Sequence, residues 1–235
     1  MNLQSKIAVV TGASRGAGAA FSEVLVNKGA KVYGLARNEK ALKALQSKLG
    51  ENFVPVALDV SAEEILKNWV KNTFSPTHSP QILINNAGAS QFAPVDGLAS
   101  EDWQKMINVN LNAVHYLTSA LTPLMKKDEN SSHIVNIGSI LGKTSGSKKS
   151  AYSATKFAIQ GYSEALFKEL RGFNIKVTCL NPGSIATGFF ESSGISANES
   201  MLHPEELAQV LINVLETPDN VLIDELTVRP LRPVQ

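Results

Sequence analysis

A chain of 235 residues with 22 lysines and arginines against 21 acidic residues carries a net charge of only +1 and is 43% apolar. Such an even balance offers no one-signed surface for nucleic acid and no acidic tail, and the apolar content suffices for a core, which excludes disorder as the main state. The single cysteine, Cys179, excludes an intramolecular disulfide and any site built from several thiolates.

The first six residues are polar, and the apolar run at 7–10 is shorter than the roughly seven to fifteen residues of a signal peptide. No window approaches the roughly eighteen apolar residues of a membrane span. A soluble protein of a reducing compartment is expected, most simply cytoplasmic, without membrane or nucleic-acid partners. β-Branched residues predict a first strand over 7–10, stopped by Thr11-Gly12, and a helix follows over 19–28, ended by Gly29. Further strands are predicted over 31–35, 53–58, 82–84, 133–137, 176–180 and, at the end, within 221–228. Helices are predicted between them over 39–49, 62–72, 101–126, 151–171 and 204–215. Strict alternation of this kind predicts one α/β domain across 1–235, a three-layer, doubly wound parallel sheet with helices on both faces. Ligands of such sheets gather beyond the carboxyl ends of the strands, so residues there carry the functional reading.

Beyond the first strand runs Thr11-Gly12-Ala13-Ser14-Arg15-Gly16-Ala17-Gly18, opening a helix. Glycines serve where backbone must approach a pyrophosphate or take positive φ, and a helix N-terminus offers N–H groups to anionic oxygens. Taken alone, the segment is equally a tight strand-to-helix turn. The second strand ends in Ala36-Arg37 without the carboxylate that holds a ribose 2′-hydroxyl. Arg37, with Arg15, is placed to bind a 2′-phosphate instead, although both arginines also suit a solvated surface. Tyr152 and Lys156 stand at i and i+4 on one helical face, where a cation favours the phenolate and lowers its pKa. A surface pair has the same spacing. Ser139, at the end of the strand over 133–137, faces the ligand crevice, where its hydroxyl can donate to a carbonyl oxygen.

Together these motifs resemble the classical short-chain dehydrogenase/reductase family, whose cofactor turn is T-G-x-x-x-G-x-G, and the resemblance covers Lys6 to about Thr187. It implies a Rossmann fold binding NADP(H), with catalytic Asn110, Ser139, Tyr152 and Lys156. Hydride then passes from the nicotinamide to a ketone or aldehyde, and Tyr152 supplies the proton. In the family, the position of Asn110 holds a water that relays protons to Lys156. The resemblance further assigns Gly12, Ser14, Arg15, Gly16, Ala17, Gly18 and Arg37 to the phosphates. Asp59 and Val60 go to the adenine side, and Asn86, Ala87 and Gly88 line the cofactor's path. Tyr152 and Lys156 bind ribose, and Pro182, Gly183, Ile185 and Thr187 meet the nicotinamide end. No metal is required, and His78, His115, His133 and His203 lack ligand spacing.

Two other classes share features with this sequence. A dinucleotide-binding sensor would need the glycines but not the four catalytic positions, and a sugar-nucleotide epimerase would need a larger C-terminal substrate domain. The short segment around 188–203, with Phe189-Phe190 its bulky apolar pair, is expected to close over the substrate. Lysines at 143, 148 and 149 could draw an anionic substrate or simply be solvated. A homodimer or homotetramer is expected through the long helices over 101–126 and 151–171.

Overall fold

The computed structural model describes residues 1–194 and 196–232. Seven parallel strands form one sheet in the order β3-β2-β1-β4-β5-β6-β7, with β1 Ile7–Thr11, β2 Lys31–Ala36, β3 Phe53–Ala57, β4 Ile82–Asn85, β5 Ser132–Ile137, β6 Ile175–Pro182 and β7 Glu225–Val228. The order turns back at β1, where β2 lies on one side and β4 on the other, Val9 pairing with both Tyr33 and Leu83. This reversal opens the crevice in which doubly wound sheets bind ligands.

Side-chain alternation along the strands assigns each helix to a face. Val10, Val32, Ile84 and Leu180 pack with Phe21 and Leu25 of α1 (Gly16–Asn27), Leu42 of α2 (Glu39–Leu49) and Leu207, Leu211 and Leu215 of α7 (Pro204–Leu215). Their neighbours Val9, Leu83, Ile134 and Val177 point the other way. They meet Leu66 and Val70 of α3 (Glu63–Thr73), Leu117 and Leu121 of α5 (Ala113–Met125) and Leu166 and Leu170 of α6 (Ser150–Leu170). The strands are buried on both faces, which is why they read as continuous apolar runs.

Most predicted elements recur within a residue or two, and three differ instructively. Helix α1 begins at Gly16, three residues before the expected start, so the glycine turn forms the helix's own first turn. The helix expected over 101–126 is α4 (Ser100–Ile107) and α5 joined by a π-helical turn, Asn108–Asn112. An inserted residue in a helix is accommodated by such a turn, often at functional sites. The last strand is confined to Glu225–Val228, because it pairs only with the carboxyl half of β6 from Cys179 to Pro182.

Candidate active site

A cavity of about 630 Å³ runs along the carboxyl ends of the central strands. Thr11, closing β1, ties two of its walls together. Its hydroxyl accepts the backbone N–H groups of Asn86 and Ala87, both at 2.9 Å, while the Asn86 side chain donates to the Thr11 carbonyl. The turn that follows leaves no room for side chains. A Cβ on Gly12, where φ is +68°, would stand 2.9 Å from Asn86 Nδ2, and one on Gly18 would stand 2.2 Å from the Gly12 carbonyl oxygen. Overpacking of this kind typically costs 1–3 kcal/mol. Gly18→Ala is therefore expected to lower Tm by about 2–10 °C in a thermal melt, and an unchanged Tm would contradict this account of the turn.

Every residue assigned above to the cofactor lines this cavity, from Arg15 and Arg37 to Pro182 and Thr187. Arg37, at the end of β2, faces Asp59 beyond β3, with Nη1 and Oδ2 3.9 Å apart. The other Asp59 oxygen accepts the N–H and hydroxyl of Ser61 at 2.9 and 2.7 Å. Burial raises the Asp59 carboxyl, but the Ser61 bonds and Arg37 outweigh it and hold the group below its ordinary value. Across the crevice, beyond β5, stand Ser139, Tyr152 and Lys156. From β2 to β5 is three strand spacings, about 14 Å.

The groups expected to transfer protons are held by residues to which the sequence assigned no role of their own. Ser139 N–H donates to Asn181 Oδ1 at 3.1 Å, and Asn181 Nδ2 donates to Gln160 of α6 at 2.8 Å. Gly138 is required beside them, since a Cβ there would lie 2.0 Å from Asn181 Oδ1. Beneath the site, Asn85 donates to Thr118 and Asn136, and Asn136 donates to Ser163, a fully buried chain joining β4 and β5 to α5 and α6. Satisfied buried networks of this type fix element positions.

Lys156 Nζ donates to the Ile137 carbonyl at 2.8 Å and lies 5.7 Å from the centre of the Tyr152 ring. Burial pulls its ammonium down to about 8. Tyr152 behaves differently from the sequence expectation. Burial pushes the phenol well above its ordinary value, and the Ser139 hydroxyl beside it counters this only in part. Removal of the phenolate from water dominates, and the Lys156 ammonium is directed at the strand end. The chain's own residues thus keep Tyr152 in its acid form.

Asn110 alone of the four expected catalytic residues does not line the cavity. Seated in the π turn, its side chain exchanges hydrogen bonds with the Ala89 backbone at 2.7 and 2.9 Å. It also donates to Thr155 Oγ1 at 3.0 Å, and Thr155 in turn bonds the Tyr152 carbonyl. The amide thereby braces the first turn of α6 against the loop after β4. Phe189 and Phe190, the apolar pair of the segment expected to close over the substrate, line the cavity, as do Lys105, Val109 and Asn38, to which the sequence assigned no binding role.

A parallel sheet that turns back at β1, a glycine turn at that reversal, and a Ser, Tyr and Lys group facing it define a nucleotide-binding α/β oxidoreductase. The chain matches the short chain dehydrogenase family model over residues 6–197, and it belongs to that family. It is 34% identical to an uncharacterized oxidoreductase of Staphylococcus saprophyticus over 98% of this chain and 100% of the relative. Among solved structures it is similar to the closed form of a serine dehydrogenase complexed with NADP+, with a TM-score of 0.88 and 30% identity over 94% of both chains. A metagenomic short-chain oxidoreductase in complex with NADP gives a TM-score of 0.85 at 30% identity, covering 98% of this chain and all of the other. Among the described residues, no helix is long and apolar enough to cross a membrane, and no cluster of His, Cys, Asp and Glu could hold a metal.

Proposed function

We propose that this protein is an NADPH-dependent carbonyl reductase, in which Tyr152 protonates a ketone or aldehyde oxygen as its carbon is reduced. The observation that carries this reading is a single cavity joining Arg15 and Arg37, beyond β1 and β2, to Ser139, Tyr152 and Lys156, beyond β5. The oxidoreductase and NADP-complexed relatives support it.

The residues fit the cofactor. The floor from Gly12 to Gly18 is a cradle that a Cβ would fill. At the end of β2 a guanidinium stands where an NAD-preferring site places a carboxylate. Gly16, Ala17 and Gly18 would hold the pyrophosphate at the start of α1, Arg15 and Arg37 the 2′-phosphate, Asp59 the adenine, and Ile185 and Thr187 the carboxamide. Bound there, the reduced nicotinamide supplies the hydride. Ser139 donates a hydrogen bond to the carbonyl oxygen and stabilises its developing charge, and Tyr152, kept protonated by burial, delivers the proton. Lys156 binds ribose and returns a proton toward the phenol. The Asn110 amide is engaged by Ala89 and Thr155, so its side chain braces the site and is not free to hold the expected relay water.

The segment over 188–203, of which residue 195 lies outside the described residues, acts as the lid. Its 3₁₀ turn, Gly188–Ser193, is latched by a hydrogen bond from Ser90 to the Phe189 carbonyl at 3.1 Å, and its return is pinned where Leu202 bridges Ser184 and Ala186. Two copies pair through α4, α5 and α6, where Trp103 and Phe157 are 43% and 47% exposed. Sedimentation as a monomer would refute the pairing.

The reductase reading predicts that assorted ketones and aldehydes make the protein consume NADPH, and binding of NADPH without carbonyl-dependent oxidation would defeat it. The Lys156 value sets the pH profile. The group is an ammonium below about pH 8 and a neutral amine above it, so kcat/KM for NADPH, which reports the free enzyme, is expected to be level below that pH and to fall about tenfold per unit above it. A level profile to pH 10 would remove Lys156 from the proton path.

A further inference from the structure

Resting on the reductase reading, we infer that the substrate is an uncharged carbonyl compound whose carbonyl carbon bears a bulky apolar group, aryl above all, selected by Phe189 and Phe190.

The catalytic phenol stands within a collar of rings. Tyr152 meets Phe92 edge-on, with centroids 5.7 Å apart at 70°, and Phe190 at 6.1 Å and 79°. Phe189 lies 6.2 Å from Tyr152 at 60°, and the two lid rings cross at 4.9 Å and 82°. Phe189 and Phe190 line the cavity, while Phe92 packs behind Phe190 with centroids 5.4 Å apart. Met106, Leu98 and Leu141 complete the apolar cluster around Tyr152. A flat ring laid against the cavity side of Phe189 and Phe190 gains edge or face partners of the kind aromatic groups prefer, and it leaves water as it does so.

The charged groups of the cavity are elsewhere. Arg15, Arg37 and Asp59 belong to its far side beyond β1 to β3, Lys156 is bound to the Ile137 carbonyl, and Lys105 projects from the exposed side of α4. None belongs to the apolar cluster. Lys149 approaches it from behind, with Nζ 5.5 Å over the Phe92 ring, and does not line the cavity. An ionised carboxylate next to the reacting carbon would therefore lose its water among phenylalanines without a cation to replace it. Small oxo acids, and in the oxidation direction serine, are the informative counter-substrates.

The test compares steady-state NADPH consumption with an aryl ketone, an aryl aldehyde and a small oxo acid, alongside NADP+ reduction with serine and with a secondary aryl alcohol. The aryl compounds are expected to exceed the acid and serine in kcat/KM by about ten- to a hundredfold. Phe190→Ala is expected to lower kcat/KM for the aryl ketone about tenfold, chiefly through KM, and Phe190→Leu to recover part of the loss by restoring volume. Should Phe190→Ala fail to fold, Phe190→Leu and the wild-type ranking still decide the matter. Preference for the oxo acid or serine would overturn this inference and leave the reductase reading intact, with Lys149 as the anchor to examine. NADPH binding without oxidation by any carbonyl would overturn both.

Discussion

Tyr152→Phe is expected to cut turnover by about a hundred- to ten-thousandfold, the usual worth of a positioned general acid, while NADPH binds nearly as before. The substitution removes one oxygen and little else. Tyr152 is 4% exposed, and its ring is held by Phe92, Phe189 and Phe190 through contacts that a phenyl group retains. Lys156 keeps its anchor, because its bond runs to the Ile137 carbonyl and not to the phenol. Burial favours the neutral phenol, so the wild-type group is an acid by default, and its loss leaves Ser139 able to hold a carbonyl with no adjacent proton to give. Ser139→Ala should cost less, since it removes orientation and a single donor. The decisive measurements are single-turnover NADPH oxidation together with a fluorescence titration of NADPH. Turnover within tenfold of wild type in Tyr152→Phe would remove Tyr152 from the chemistry, and a parallel loss of NADPH affinity would make its role structural.

The parts of this site legible in the sequence are those whose chemistry is local. The glycines at 12, 16 and 18 act within one turn, Tyr152 and Lys156 share one helical face, and Ser139 follows a strand directly, so spacing alone brings each group to the crevice. What spacing does not disclose is what holds them. Thr11 reaches Asn86, Asn181 reaches Ser139, and Asn136 reaches Ser163, pairs far apart in the chain that meet only through the parallel crossovers. The π turn was similarly hidden, because the apolar stripe of α4 continues into α5; its local sign is the run Asn108-Val109-Asn110-Leu111-Asn112, whose three asparagines and one valine are poor helix formers in the middle of a long helix. Phe92 lies in a loop without periodicity, and only the folded chain brings it against Tyr152. The phenol's pKa shows the same limit. A sequence places the cation four residues away, but only burial decides which form of the phenol the protein favours.

Arg37→Ser is expected to reduce kcat/KM for NADPH by about tenfold while leaving NADH nearly unchanged. A charge-assisted bond to phosphate is worth up to a hundredfold when sheltered, but the Arg37 side chain is 73% exposed, so solvent screens it and the lower figure applies. Its ion pair with Asp59, at 3.9 Å, is loose enough to be exchanged for a phosphate without stranding a buried carboxylate, since Ser61 still satisfies that group. Arg15 lines the same end of the cavity from the glycine turn. Removing both guanidiniums should therefore cost more than either alone and bring NADPH and NADH close to parity. Screening adds a second signature: the wild-type preference for NADPH should shrink as ionic strength rises, because the Debye length falls from about 10 Å at 0.1 M to about 3 Å at 1 M. The double variant, with neither guanidinium left to screen, should lose most of that salt dependence. Equal losses for the two cofactors in Arg37→Ser would mean that the arginine supports the fold of the β2 end and does not read the 2′-phosphate.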